Sequence, residues 1–444
     1  IETSSANDLH IGHSSFIRTT AYDGIVGTWL IDPGCNFVIA DSGGNIDPTT
    51  ITTVLQTTNE VISTASSIVV EDPINYASAN NLALLSQANI DVGASIQNTK
   101  ASSGGGIYLI AGWDGTTGYD GTTLTPSLLT NSGVYGNGSG SVTVGGSNIG
   151  YSGFSQSSDI AVGSRSGTTT VAGHDISVET RSNNSFDSQI GYSGHTGGGD
   201  IVVDATGDVN VVLNSSSSGY AQIGNGAIGA QGIINATGNI TLNVDGATTI
   251  DDTSGFGTAW IGNYAGEGGT VTGNLSIVTG NFFIDDDNLL GDMMKSTLQG
   301  GATPSASIGG DFTLARSNSS GQGAISDYFP NGIYYNSSHT LSLLSNSNIT
   351  IDSSIQNDGT GALNIVAGWD TSAVSPDSLL ANGVGSVIAA GAYGSNAGDV
   401  TISPSGSFDI AVGTRTGSTN IAANNLTIET GEYGEGAQLG YAAY

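Results

Sequence analysis

The chemistry within reach of this sequence is set by a few residues. Asp285, Asp286, Asp287 and Asp292 form its densest group of acids. A hard cation such as Ca²⁺ takes about six to eight oxygen ligands. A loop carrying these aspartates, Asn288 and backbone carbonyls would supply several of them. The plainer reading of the same residues is a solvated charged turn, and Asp251-Asp252 is a lesser pair of the same kind. There is no Gly-Gly-x-Gly-x-Asp series of the calcium-roll type. His10 and His13 have a spacing that ligates metal on a helix, but no helix is predicted there and no third ligand is evident. No cofactor is expected beyond a Ca²⁺ ion at the acidic loop. Trp113 and Trp369 are each followed by Asp. Their rings could serve as exposed platforms for sugar stacking, or they could be turn residues that cap the core where a loop leaves it. Arg165 and Arg415 also correspond, and the matching spacing of Asp159 and Asp409 suggests an ion pair in each case.

These correspondences belong to a long internal repeat. Leu82-Ala83-Leu84-Leu85 returns as Leu341-Ser342-Leu343-Leu344, and Ala111-Gly112-Trp113-Asp114 as Ala367-Gly368-Trp369-Asp370. Ile96 and Ile355 lie 259 residues apart, Trp113 and Trp369 256, and Asp159 and Asp409 250. The slow drift is that of loops losing residues between strands of fixed length. A duplication of this size favours an array over a globule around one core.

Composition narrows the partners. The chain has 444 residues, 38 acidic against 7 basic, a formal charge of −31 and a mean hydropathy of +0.02. Seven scattered cations cannot form the patch that displaces counterions from a polyanion, which argues against nucleic acid and anionic membranes. No apolar stretch approaches the roughly 18 residues of a membrane-spanning helix, so no membrane insertion is expected. Cys35 is the only cysteine and reads as a small buried apolar side chain. The first residues do not resemble a signal peptide, and the start without Met suggests a processed or excised chain.

The elements that would hold these residues are short strands with period two, such as Ile90-Asp91-Val92, Val142-Thr143-Val144 and Val209-Asn210-Val211, bounded by Gly, Asn, Asp or Ser. One helix is predicted at about residues 48–57, capped by Asp47, opened by Pro48 and apolar at Ile51, Val54 and Leu55. A shorter repeat, Gln189-Ile190-Gly191, Gln222-Ile223-Gly224 and Trp260-Ile261-Gly262, is spaced 33 and 38 residues, read here as two layers per period. The fold expected is all-β, a right-handed parallel β-helix or solenoid. At about 20–25 residues per layer it would hold roughly 18–22 layers and reach on the order of 90–100 Å. Residues 1–67 form a lead-in with Trp29-Leu30-Ile31-Asp32-Pro33 and the helix. Residues 68–192 are the first long repeat, 193–324 the Gln-Ile-Gly repeats, and 325–444 a second, truncated long repeat.

Trp29-Leu30-Ile31-Asp32-Pro33 followed by the Ile51 to Leu55 segment, Ala79 to Leu84 followed by Asn89-Ile90, Gly106 through Gly112, and the Gln-Ile-Gly-Asn units with their Gly-Asn-Ile-Thr-Leu strands resemble the filamentous-haemagglutinin-like exoproteins of bacteria. The resemblance covers most of residues 25–441. It implies a secreted right-handed β-helix at the cell surface, often a segment of a longer protein, working in adhesion or cell–cell contact. The Asn-Pro-Asn-Gly or Asn-Pro-Asn-Leu motifs of that family's secretion domain are not found, so the resemblance does not reach its two-partner export route.

The function expected is therefore a secreted, non-enzymatic rod. It would act as a bacterial surface adhesin or extracellular structural segment, with a glycan or protein of a host or neighbouring cell as partner. One alternative is an extracellular filament subunit that self-associates through the ends of the helix. Another is a polysaccharide-active β-helix enzyme, which would resemble pectate lyases or polygalacturonases. The lyase form needs carboxylates clustered with Lys or Arg, which the cations here are too few to supply, and the hydrolase form needs a spaced carboxylate pair.

Overall fold

The computed structural model describes residues 1–12, 15, 17–19, 26–121, 123–145, 158–180, 186–213, 219–226, 232–251, 257–266, 268–284, 287–299, 312–316, 332–404, 408–431 and 434–442. It is mostly β, with sheets of parallel strands in a solenoid-like arrangement. The chain divides into two compact units, residues 1–229 with 249–261 and residues 230–248 with 262–444.

In the first unit the strands fall into three columns. Asn59–Thr64, Leu82–Ser86, Ile107–Ile110, Thr169–Gly173 and Ile201–Ala205 pair in succession, all parallel. Phe37–Ile39, Ile68–Val70, Ile90–Val92, Val142–Gly145, Ile176–Glu179 and Val209–Val212 form the second column. Ile74–Tyr76, Ile96–Asn98, Ile160–Ser164, Ser188–Ile190, Tyr220–Ile223 and Thr258–Ile261 form the third. Strands this short gain little alone. Stacking places Ile62, Leu84, Leu109, Val171 and Val203 at one register, and all five are fully buried. Each such side chain contributes about 1.5–3 kcal/mol by leaving water.

The second unit repeats the pattern. Leu275–Ile284, Phe312–Arg316, Leu341–Ser345, Leu363–Ala367 and Thr419–Ala422 make one column, and Ile333–Tyr335, Ile355–Asn357, Ile410–Thr414 and Ala437–Leu439 another.

Asn and Asp beside the strand starts bind the layers at their corners. Asn59 Oδ1 accepts from the Asn81 amide and Asn81 Oδ1 from the Gly106 amide, both at 2.8 Å. Asn348 accepts from the Asp399 amide at 2.9 Å, and Asp399 from the Asn425 amide at 3.0 Å. Turn amides that leave the strand ladder thus find partners in the layer below. Two asparagines do this from inside the protein. Asn98 and Asn357 are fully buried, and each amide NH₂ donates to two backbone carbonyls (Ser78 and Gly105; Ser337 and Gly361). Each Oδ1 accepts from two backbone amides.

Three expectations need correction. The Gln-Ile-Gly period is one layer, because Gln189 pairs with Gln222 and Gln222 with Trp260. Its extra length lies in further strands and turns within the layer. The predicted helix is present as α1 (Pro48–Val54), with Asp47 Oδ1 accepting from the Thr49 amide, but it is not the only one. The described residues also contain α2 (Asp287–Gln299), α3 (Pro376–Asn382) and α4 (Val384–Ala390). α2 answers to α1: Ser78 Oγ donates to the carbonyl of Leu55 after α1, and Ser337 Oγ to that of Leu298 in α2. The duplication therefore reaches back past the helix. Cys35 is half-buried rather than buried.

Candidate ligand pocket beside Trp113

The two tryptophans mark the same excursion from the stack. Gly112 and Trp113 donate from their amides to Ala88 and Ser86, while Gly368 and Trp369 donate to Ser347 and Ser345. The chain returns where Gly136 and Asn137 donate to Ala111 and Gly112, and where Gly394 and Ser395 donate to Ala367 and Gly368. Gly112 (φ +59°) and Gly368 (φ +66°) are needed there. A Cβ would sit 2.5 Å from the Asn137 nitrogen in one case and from the Ser395 oxygen in the other. Both rings point inward, Trp113 at 5% and Trp369 at 0% exposure. Trp113 Nε1 donates to the Thr117 carbonyl at 2.8 Å and Trp369 Nε1 to the Val374 carbonyl at 3.0 Å. Neither ring presents a face on which a sugar could stack.

Beyond the tryptophans the excursions diverge. After Trp369 the chain forms α3 and α4. Ser375 caps α3 and Gly383 ends it. Leu379, Val384 and Val387 then close over Val278, Leu344, Val366 and Trp369 in an apolar cluster. After Trp113 the chain instead packs Tyr119, Leu129, Val134 and Tyr135 on Leu30, Val61, Leu85 and Ile110. That closure is incomplete. It leaves a cavity of about 370 Å³ whose walls include Asp32, Ser63, Gln87, Trp113, Tyr119 and Asp120.

Register explains the difference. Asp32 lies above Ser63 in the column that continues to Leu85, since Ile31 pairs with Ile62 and Ser63 with Leu85. The matching column of the second copy reads Val278, Ala315, Leu344. The first copy thus has a carboxylate and a hydroxyl where the second has two apolar side chains. Ser63 Oγ donates to Asp32 at 3.2 Å. Burial raises the Asp32 pKa, the Ser63 bond opposes this, and the nearby Glu2 adds to the rise. The Tyr119 hydroxyl is pushed up to about 12, first by burial and then by Asp120, Glu2 and Asp32. None of the described residues lining the cavity is Lys, Arg or His. The pocket can therefore accept hydrogen bonds and positive charge and repels anions.

Glu60 is the other notable acid. It lies at one register with Trp29 and Leu82, is fully buried, and neither carboxyl oxygen has a hydrogen-bond partner. Burial pushes its pKa up to about 8, so the proton stays on through neutral pH. The signal for Asp32 and Glu60 was present in the sequence as a single acid at the edge of an apolar run, Trp29 to Ile31 and Val61-Ile62.

The proposed calcium residues are only partly described. Asp287 opens α2 and Asp292 lies on it, exposed and 3.8 Å from Lys295. Asp285 and Asp286 lie outside the described residues, as do His13 and Asp252. The stretch from Asp287 is helix rather than loop, and positions five apart on a helix do not share a face. The described residues contain no group of three or more His, Cys, Asp or Glu placed to hold a metal. His10 is exposed and binds Asp8 at 3.1 Å. The arginines also differ from expectation. Arg165 donates to Thr196, and Arg415 pairs with Asp358 at 2.9 Å. Asp159 and Asp409 accept instead from the amides of Asp187 and Gly436, as strand-start carboxylates do throughout the stack. Comparison with protein-family models, with curated proteins and with solved structures gives no match.

Proposed function

We propose that the chain is a secreted, non-enzymatic right-handed β-helical rod. It would act as an adhesin of the bacterial surface or as an extracellular structural segment of the filamentous-haemagglutinin-like kind. The observation that supports this most is the unbroken parallel pairing of short strands within each unit, with Asn and Asp carrying hydrogen bonds between layers. Such a stack obtains stiffness from nearest-neighbour layers and offers a long polar surface to a glycan or protein of another cell. Electron microscopy with a glycan and cell-binding screen tests it. Straight particles that bind cells are expected. Compact particles, or turnover of a polysaccharide, would defeat it.

A further inference from the structure

We propose that the cavity beside Trp113 is a binding site for an alkylammonium or guanidinium group, and that the first copy has it while the second has lost the space for it. The inference does not depend on the chain being an adhesin.

Three observations carry it. The first is the cavity itself, whose volume of about 370 Å³ suits a side-chain-sized ligand. The second is its charge. Asp32 and Asp120 line it, Glu2 lies near enough to act on both Asp32 and Tyr119, and no basic residue is among its described walls. A half-buried carboxylate whose only side-chain donor among the described residues is a serine hydroxyl gains a charge-assisted hydrogen bond when a cation enters. Tyr119 and Trp113 line the cavity beside these acids. The third is the internal comparison. The second copy has the same tryptophan, an excursion anchored by the same backbone bonds, and Val278 and Ala315 in place of Asp32 and Ser63. Leu379, Val384 and Val387 pack with Val278 and Trp369 in one apolar cluster. The fold thus stands without polar groups in this column, so packing does not require those of the first copy.

The group could arrive on a protein side chain or on an amino sugar, and the test separates them. Protein labelled with 5-fluorotryptophan gives one ¹⁹F signal for each of its 4 tryptophans, and Trp369 serves as an internal control. The probes are Nα-acetyl-lysine amide, Nα-acetyl-arginine amide and glucosamine. Their uncharged counterparts are Nα,Nε-diacetyl-lysine amide, Nα-acetyl-citrulline amide and N-acetylglucosamine. The expected result is a saturable shift of the Trp113 signal with at least one cationic probe, with Trp369 unmoved. Its uncharged counterpart should bind at least about tenfold more weakly. Asp32→Val, which installs the second copy's residue, should weaken binding by about tenfold or more. Asp120→Asn, on the wall and outside the strand stack, should act in the same direction if Asp32→Val proves poorly folded. The proposal fails if no probe shifts Trp113 up to about 10 mM. It fails equally if charged and uncharged probes bind alike, or if neither variant changes affinity.

Discussion

The two copies share a backbone plan and differ where the first carries an acid. Asp32, Glu60 and Asp187 of the first copy stand at the register of Val278, Phe312 and Gly436 in the second. In each pair the stack forms with an uncharged residue. The acids are therefore additions to a scaffold that does not need them, and they carry a cost in desolvation that Val and Phe do not. One of the three opens onto a cavity. The other two give the first copy a pH dependence that Phe312 and Gly436 cannot give the second.

Glu60 gives the largest test of that asymmetry. Its folded pKa of about 8 lies above the ordinary 4.5. Between those values the unfolded chain has lost the proton and the folded chain keeps it, so stability falls as pH rises through this window and levels off above it. Glu60→Gln removes the titrating group. Urea unfolding from pH 4 to 9 should show the parent losing on the order of 5 kcal/mol that the variant keeps. Parallel pH profiles for parent and variant would mean that Glu60 finds a proton partner or water in solution.

The tryptophans sharpen the comparison from the apolar side. Trp369 is sealed under α3 and α4, whereas Trp113 borders a cavity. Trp369→Ala should cost about 3–5 kcal/mol and Trp113→Ala less, because the Trp113 site already has space into which its neighbours can relax. Equal losses in thermal or urea unfolding would mean that the first excursion is packed as tightly as the second. The buried asparagines should show no asymmetry. Asn98→Ala and Asn357→Ala each strand four backbone groups. Each should cost about 2–4 kcal/mol, by a similar amount in both copies.

The parallel strands, the repeat and α1 could be read from sequence because each rests on local pattern: short β-branched runs, Gly and Asn turns, and an Asp-Pro start. α2 could not, because its acids read as a turn, although Met293, Met294 and Leu298 form its buried side. α3 carried a cap signal in Ser375-Pro376, but the likeness of Trp369 to Trp113 suggested the same loop in both copies. The pocket was out of reach for a deeper reason. Asp32 meets Ser63 and Leu85 only once the layers are aligned, and layer length is irregular. Ile74 pairs with Ile96, 22 residues on, whereas Ile96 pairs with Val162, 66 residues on. Side-chain alternation shows which residues of a strand face inward but not which residue of another layer lies above each one.

The smallest effect expected belongs to Asp187, and it isolates charge from hydrogen bonding. Asp187 Oδ1 accepts from the Tyr220 amide at 2.9 Å, and its own amide donates to Asp159 Oδ1 at 3.0 Å. Two carboxylates thus lie on consecutive layers. Burial and then the Asp159 charge push the Asp187 pKa up to about 7, against the Tyr220 bond. Stability is fully present below the ordinary 3.8 and falls as pH rises toward 7. Asn at this position keeps an oxygen for the Tyr220 amide and removes the repulsion. Because the carboxylate is partly open to water, screening reduces the gain to about 1–2 kcal/mol at neutral pH. Added salt should raise the parent toward the variant. A gain that persisted unchanged at pH 3.5, where the Asp187 carboxyl is protonated, would instead assign the effect to packing at the strand start.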